Sequence, residues 1–501
     1  MISGTACRIE ERAMLNYQIS AVARRNRVRG LALDLLRRRF PDSSDPRRDW
    51  LPPKPEWSSG LPDLSVLGEE LERVRSRQGK IVLYGHDDMD GITGLFVGLR
   101  VLRREGFHVI PIIPRREFED YGLLPERMDP HLSRGDLLMT VDYGCSAVEG
   151  VRWALDRGAR VVITDHHTLN PPLPDAHGLV DPQVYGPEAP ATVLAGCGVL
   201  YAALCSVWPK WDGDAQLLAA VALGTVSDRV PLLGWNRALL HMACGIRRED
   251  LTAGLRVMMD SWPGDGCVWS GGMVRHAITS TVGKGNGSGI DQMLDFMFSQ
   301  DEPSCRKAWK EMRRTSNRRA GALSKLVKEA MKRKDDQADA YGMILVKMPS
   351  IPSGMGGTLA SKLSKIYRRG AIVVSRRPDG VLNGEARSPG DWNMAGFLVS
   401  LKEHFTSAGG HVKAAGFSYD GESWEELRDI LISHMPEYPT NPVPRPHVDM
   451  ELDEQPDPGE FVCLAPFGPD FPPPALKIDN MRYLLNVSGE PGWCITEDSG
   501  E

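Results

Sequence analysis

The chain has 501 residues, 42% hydrophobic and 25% charged, an ordinary globular composition at a length that predicts two or three domains rather than one core. A formal net charge of −6 excludes affinity for nucleic acid through bulk basicity, and with no run of about 18 apolar residues the sequence offers no membrane helix. The 9 cysteines stand singly, without a CxxC pair, which argues against zinc modules and a disulfide framework and suits a reducing cytoplasm.

Residues 1–65 read as an N-terminal basic segment without an apolar signal core: one helix, "ISAVARRNRVRGLALDLLRRRF", then a Pro-rich link. Residues 66–300 alternate strand and helix. A helix over 66–79 precedes the strand "KIVLYG" (80–85), a helix over 94–106 and the strand "HVIPIIP" (108–114). "DLLMTVDYG" (136–144) and "RVVITDHH" (160–167) read as further strands, and 197–208 and 214–228 as apolar helices. This rhythm predicts a mostly parallel sheet covered by helices. Residues 301–336 read as a long connecting helix, in which twelve Lys or Arg stand against two Glu between 306 and 334. A smaller α/β unit follows over 337–437, and 438–501 turns Pro-rich.

Acids and histidines gather just beyond the predicted strands. His86, Asp88 and Asp90 follow the first, Asp142 follows "LLMTV", and Asp165, His166 and His167 follow "VVIT"; Asp228 comes later, in "TVSD". Carboxyl ends of strands in an open parallel sheet face the ligand crevice. Carboxylates gathered there repel one another unless protons or cations compensate. Oxygen ligands with imidazole and no thiolate suit Mn²⁺ or Mg²⁺, and two such ions roughly 3.5–4 Å apart activate water against a phosphoryl group. A single DxDG also reads as a turn or helix cap. Asp87 reads as exposed, His86 equally as a packed histidine, and Asp165 as a residue that orients His166 from behind.

The stretches "HDDMDG", "IPRREFEDYGL", "VDYG", "TDHH", "DPQ", "AGCGVLYAAL", "LGTVSDRVPLLGWNR", "GEARS", "GGHVKAAGF" and "LAPFG" run in order from about residue 80 to 475. In them the chain resembles the DHH phosphoesterase superfamily, and within it the RecJ-type single-stranded-DNA exonucleases. The resemblance implies an α/β fold: a parallel-sheet DHH domain joined by a long helix to a smaller α/β DHHA1 domain, with a truncated oligonucleotide-binding-like C-terminal segment. It implies two Mn²⁺ or Mg²⁺ ions held by Asp88, Asp90, Asp142, His166 and Asp228, with His86 beside them and Asp142 as bridge. It places His167 on the scissile phosphate, with Asp142 and Asp165 as its catalytic companions. Arg116, Arg387, Ser388 and the turn Gly409-Gly410-His411 fall where the family grips the strand. The implied activity is stepwise hydrolysis of single-stranded DNA to mononucleotides from the 5′ end, in DNA repair and recombination in the cytoplasm.

The chain departs from the family in places. Lys284, in "ITSTVGKG", stands where the family commonly has an arginine, and a lysine lacks the bidentate fork. Glu385 stands where a small serine is usual, Pro352 where histidine is frequent, and some 30 residues follow "LAPFG", too few for a five-stranded barrel. Two other functions stay open. One is a phosphodiesterase for short oligonucleotides or cyclic dinucleotides, with RNA also left open as substrate. The other is a non-catalytic subunit of a replication complex.

Overall fold

The computed structural model describes residues 20–114, 122–169, 171–186, 189–261, 290–348, 351–352, 355–377, 380–389, 392–421, 423–435, 448–479, 481–486 and 492–496. Two compact units emerge: the first lies within Met1–Val282, Gly287–Arg313 and Val448–Glu501, the second within Arg314–His447.

The first unit is organised by strands β1 (Lys80–Gly85), β2 (His108–Ile112), β3 (Leu137–Val141), β4 (Arg160–Thr164) and β5 (Gly178–Val180). They form one sheet in the order β2-β1-β3-β4-β5, with every pairing parallel. Both faces are apolar because successive side chains alternate across a strand. Ile81, Leu83, Leu137, Met139, Val141 and Val162 meet helices Leu64–Arg77, Met89–Arg104, Gly196–Val207 and Ala215–Asp228 on one side. Val82, Tyr84, Leu138, Val161 and Ile163 meet helix Val148–Asp156 and the segment 123–132 on the other. Helix Ala215–Asp228 is apolar almost all round, and nine consecutive residues, Leu217–Thr225, are buried.

The N-terminal segment departs from the single expected helix. Residues 20–27 are helical, the chain breaks, and a second helix runs Gly30–Arg39, starting at a glycine with φ +53°. The C-terminal region also carries more structure than its prolines suggest. Strands β11 (Met450–Glu451), β12 (Ala475–Ile478), β13 (Met481–Asn486) and β14 (Gly492–Thr496) form a sheet in that order. Its residues Met450, Phe461, Phe467, Phe471 and Leu476 share one core with Val28, Leu35, Leu36, Trp50 and Ala238. The Arg237 guanidinium lies fully inside, donating to the carbonyls of Leu232 (2.9 Å), Leu464 (3.2 Å) and Pro466 (2.9 Å). It also stacks over the rings of Trp50 and Phe471.

The second unit holds a mixed sheet. Strands β6 (Met343–Met348), β7 (Gly370–Arg376), β8 (Leu382–Arg387), β9 (Ser407–His411) and β10 (Ala414–Tyr419) run in the order β6-β7-β8-β10-β9. Only β6 and β7 pair in parallel; β9 and β10 form an antiparallel hairpin, and β10 also pairs with β8. Helix Glu302–Lys332 runs from residues of the first unit into residues of the second. Among the described residues, Cys145, Cys197, Cys205, Cys305 and Cys463 are free thiols. Among the described residues no helix is long and apolar enough to cross a membrane.

Candidate metal centre

The strand order changes direction at β1: β2 lies on one side of it, and β3, β4 and β5 on the other. Connections leaving on opposite sides open a crevice at the carboxyl ends of β1 and β3, where an open α/β sheet takes its ligand. The expected residues converge on this point.

Beyond β1 the chain turns through His86 to Asp88, whose carboxylate accepts the N–H groups of Asp90 (3.1 Å) and Gly91 (3.2 Å) and caps helix Met89–Arg104. The cap and the site are therefore one structure. Asp90, in the first turn, is 1% exposed. Its two oxygens accept the N–H groups of Gly196 (2.7 Å) and Cys197 (2.9 Å), at the start of helix Gly196–Val207. A carboxylate is well placed at that positive helix end. Asp142 leaves β3 with φ +56°, a left-handed backbone that a side-chain-bearing residue seldom adopts. Asp165 leaves β4, and Asp228 ends helix Ala215–Asp228.

Asp142 faces two ways. Its Oδ1 lies 3.1 Å from His166 Nε2, and its Oδ2 lies 3.7 Å from His86 Nδ1. On the first side, His166 Nε2 also stands 3.5 Å from Asp228 Oδ2 and 3.8 Å from Asp90 Oδ2. On the second, His86 Nδ1 stands 3.0 Å from Asp88 Oδ2. Two ligand groups result, Asp90–His166–Asp228 and His86–Asp88–Asp142, and Asp142 also reaches His166 and His167.

The donors fit divalent cations. His166 Nε2 is buried with three carboxylate oxygens around it, yet makes no hydrogen bond to any of them. Ligand atoms at roughly 2.1 Å from a small divalent ion stand about 3 Å apart at right angles. Aspartate oxygen and imidazole nitrogen are ligands for Mn²⁺ or Mg²⁺. Without cations the charges are poorly compensated. Burial, then the charges of Asp90 and Asp88, push the Asp142 carboxyl well up; burial, then Asp90, hold Asp228 up at about 6. Burial lowers the basicity of His166, but Asp228 and Asp90 outweigh it and raise its pKa.

Asp165 stands behind His167, not behind the His166 ring as expected. Its Oδ1 accepts from the backbone N–H of His166 (2.8 Å) and lies 2.7 Å from His167 Nδ1, and its Oδ2 accepts from Cys145 N–H (2.9 Å). Burial opposes ionisation of both partners, but their mutual bond wins. Asp165 is held far below the usual carboxylate range, and His167 is raised to about 9. His86 is both readings at once: it stacks on Tyr143 (centroids 5.7 Å) and faces two carboxylates. Asp87, read as exposed, is 3% exposed.

Of the expected strand contacts, Arg387 ends β8 and Ser388 follows it, and the β10 register sets Ala414 opposite both Arg387 and His411. Gly409, Gly410 and His411, expected in a turn, lie instead in strand β9, where Gly410 and Gly409 pair with Ala415 and Gly416. Arg116 and Lys284 lie outside the described residues. Three supports were not singled out in the sequence. A methyl group at Gly196 would stand 2.5 Å from Asp142 Cβ, and one at Gly224 would stand 2.9 Å from Asp90 Oδ1, so both helices approach only as glycine. Asp181, of "DPQ", is fully buried near Asp165 and Cys145. Burial raises its pKa to about 7, against the Gln183 N–H that it accepts. The cue was "DPQ" itself, one of the stretches that carry the resemblance, which gave Asp181 no role.

Known proteins match along the same course. The model of the DHH family, N-terminal domain, matches residues 80–225, and that of the DHHA1 domain matches 341–435. The single-stranded-DNA-specific exonuclease RecJ of Bacillus subtilis is 29% identical over 441 residues, covering 83% of this chain and 54% of that protein. RecJ of Thermus thermophilus is 28% identical over 429 residues, covering 83% and 61%. The chain thus spans about half to three-fifths of the length of these relatives. The crystal structure of Thermus thermophilus RecJ with Mn²⁺ superposes with TM-score 0.74 at 22% identity, over 94% of this chain and 70% of that one. A structure of exonuclease RecJ bound to manganese gives 0.64 at 25% identity, over 75% and 97%. The chain thus carries a region matching the DHH N-terminal domain and a region matching the DHHA1 domain, on a RecJ-like fold.

Proposed function

We propose that this chain is a metal-dependent exonuclease that hydrolyses single-stranded DNA to mononucleotides from the 5′ end, in DNA repair and recombination in the cytoplasm. The observation that carries the reading is His166 Nε2, buried among Asp90, Asp142 and Asp228 without a hydrogen bond. The relatives' printed activity supports the choice of substrate.

In this reading Asp88, Asp90, Asp142, His166 and Asp228 hold two Mn²⁺ or Mg²⁺ ions, with His86 beside Asp88 and Asp142 shared. When bound, the ions supply positive charge against phosphoryl oxygens and make a water acidic enough to attack. The chain's own groups do the rest. Gly196 and Cys197 N–H groups aim Asp90. Asp165 fixes the His167 ring through Nδ1 and keeps it protonated at neutral pH, which leaves Nε2–H to donate to a phosphate oxygen. Arg387, Ser388 and the Gly409-Gly410-His411 strand bind backbone phosphates in the second unit, and Arg116 and Lys284 are further strand contacts.

Digestion of end-labelled single strands, with and without a 5′ phosphate, tests this in Mn²⁺ and in chelator. Mononucleotides should appear progressively from the 5′ end, only with metal. Asp142→Asn should lower turnover by about a hundred- to a thousandfold, a loss typical of removing a principal transition-state contact. Undiminished digestion by Asp142→Asn would sink the reading.

A further inference from the structure

In the second unit, β8 sends Glu385 and Arg387 to the same face, two residues apart. Helix Gly356–Tyr367 starts beneath them, and among the described residues no side chain caps its N-terminus. Its first N–H groups have no partner inside the helix and, with the helix dipole, favour an anion. The two opening residues are glycines, and the space above them is taken. A methyl group at Gly356 would stand 3.1 Å from Glu385 Cγ. One at Gly357 would stand 3.0 Å from Glu385 Oε2 and closer still to Arg387 Nη2. Glu385 Oε2 lies 3.4 Å from Arg387 Nη1, with the two side chains 43% and 26% exposed. The carboxylate thus stands over an uncapped helix end and beside a guanidinium, the two groups that a phosphate would use.

We propose that Glu385 is a resident anion in the phosphate seat of this unit, a specificity-determining residue that a strand phosphate must displace from Arg387. The inference rests on the reading of Arg387 as a phosphate contact. Glu385 is exposed enough to swing into water, so it weakens the hold on phosphate without blocking it. A pair this exposed is weak, which sets the scale of the competition.

The test is the affinity of the full-length chain for an internally labelled oligothymidylate, read by fluorescence anisotropy. Asp142→Asn is present throughout to prevent turnover. Glu385→Gln should tighten binding about two- to five-fold, and Glu385→Ser, which removes the side chain from the seat, should do the same. Arg387→Ala should weaken binding, and adding Glu385→Gln to it should change nothing, because the competition is over that guanidinium. If Arg387→Ala binds as tightly as the parent, the phosphate reading of Arg387 fails and the inference falls with it. If Arg387→Ala weakens binding but neither Glu385 variant tightens it, the inference alone is wrong. It is equally overturned if Glu385→Gln helps as much without Arg387, which would mark a diffuse charge effect.

Discussion

At the scale of single residues, the site is a set of carboxylates held in place by glycines and backbone N–H groups. The carboxylates were legible in the sequence because an acid directly after an apolar strand is conspicuous. Their supports were not: Gly196 and Gly224 become necessary only once two helices approach Asp142 and Asp90, and Asp181 gives no sign of burial in "DPQ". Gly196→Ala should therefore behave as a site mutation. The added methyl meets Asp142 Cα at 2.7 Å, so Mn²⁺ binding in calorimetry should fall at least about tenfold while circular dichroism stays native. Asp165→Asn acts through His167. It removes the charge that keeps the ring protonated, so the alkaline limb of kcat/KM should move from near 9 towards the ordinary histidine range. A uniform loss of activity with an unchanged pH profile would mean that Asp165 only packs.

At the scale of elements, periodicity predicted four strands of the first sheet and the helices on it to within about five residues, but not β5 (Gly178–Val180), which is too short to show a period. The C-terminal sheet was hidden because prolines dominate the composition while the strands between them are short. Arg237 ties it to the rest of the first unit. Arg237→Met should cost about 2–4 kcal/mol, since it leaves the carbonyls of Leu464 and Pro466 buried without a donor, and should expose the C-terminal region to limited proteolysis. The same junction is sensitive to acid. His241 takes a hydrogen bond on Nδ1 from Arg24 (3.2 Å), and burial, then Arg24, Arg25 and Arg237, lower its pKa to about 4. A lowered histidine stabilises the fold above its unfolded pKa, and that stability is lost as pH falls from about 6.5 through 4. Protease sensitivity of the C-terminal sheet should rise across that window, and His241→Gln should flatten the dependence.

At the scale of the molecule, every residue of the metal cluster belongs to the first unit and none to the second. Calorimetry should therefore show Mn²⁺ raising the melting temperature of one transition and leaving the other in place. The metal-free form carries the opposite pH signature to His241. Asp142 and Asp228 have raised pKa values, so their contribution is greatest below about 4 and is lost as pH rises through about 6. The cation-dependent gain in melting temperature should be larger at pH 7.5 than at pH 5.

The left-handed twist at residue 142 decides how that contest between stability and activity can be seen. Asparagine keeps the side chain's shape and adopts this backbone region readily, while alanine adds a conformational cost of its own. In chelator, then, Asp142→Asn should unfold a few degrees above the unsubstituted protein, and Asp142→Ala should gain less. An inert variant sturdier than its parent would show that the apo chain is held under load by the charges its chemistry requires.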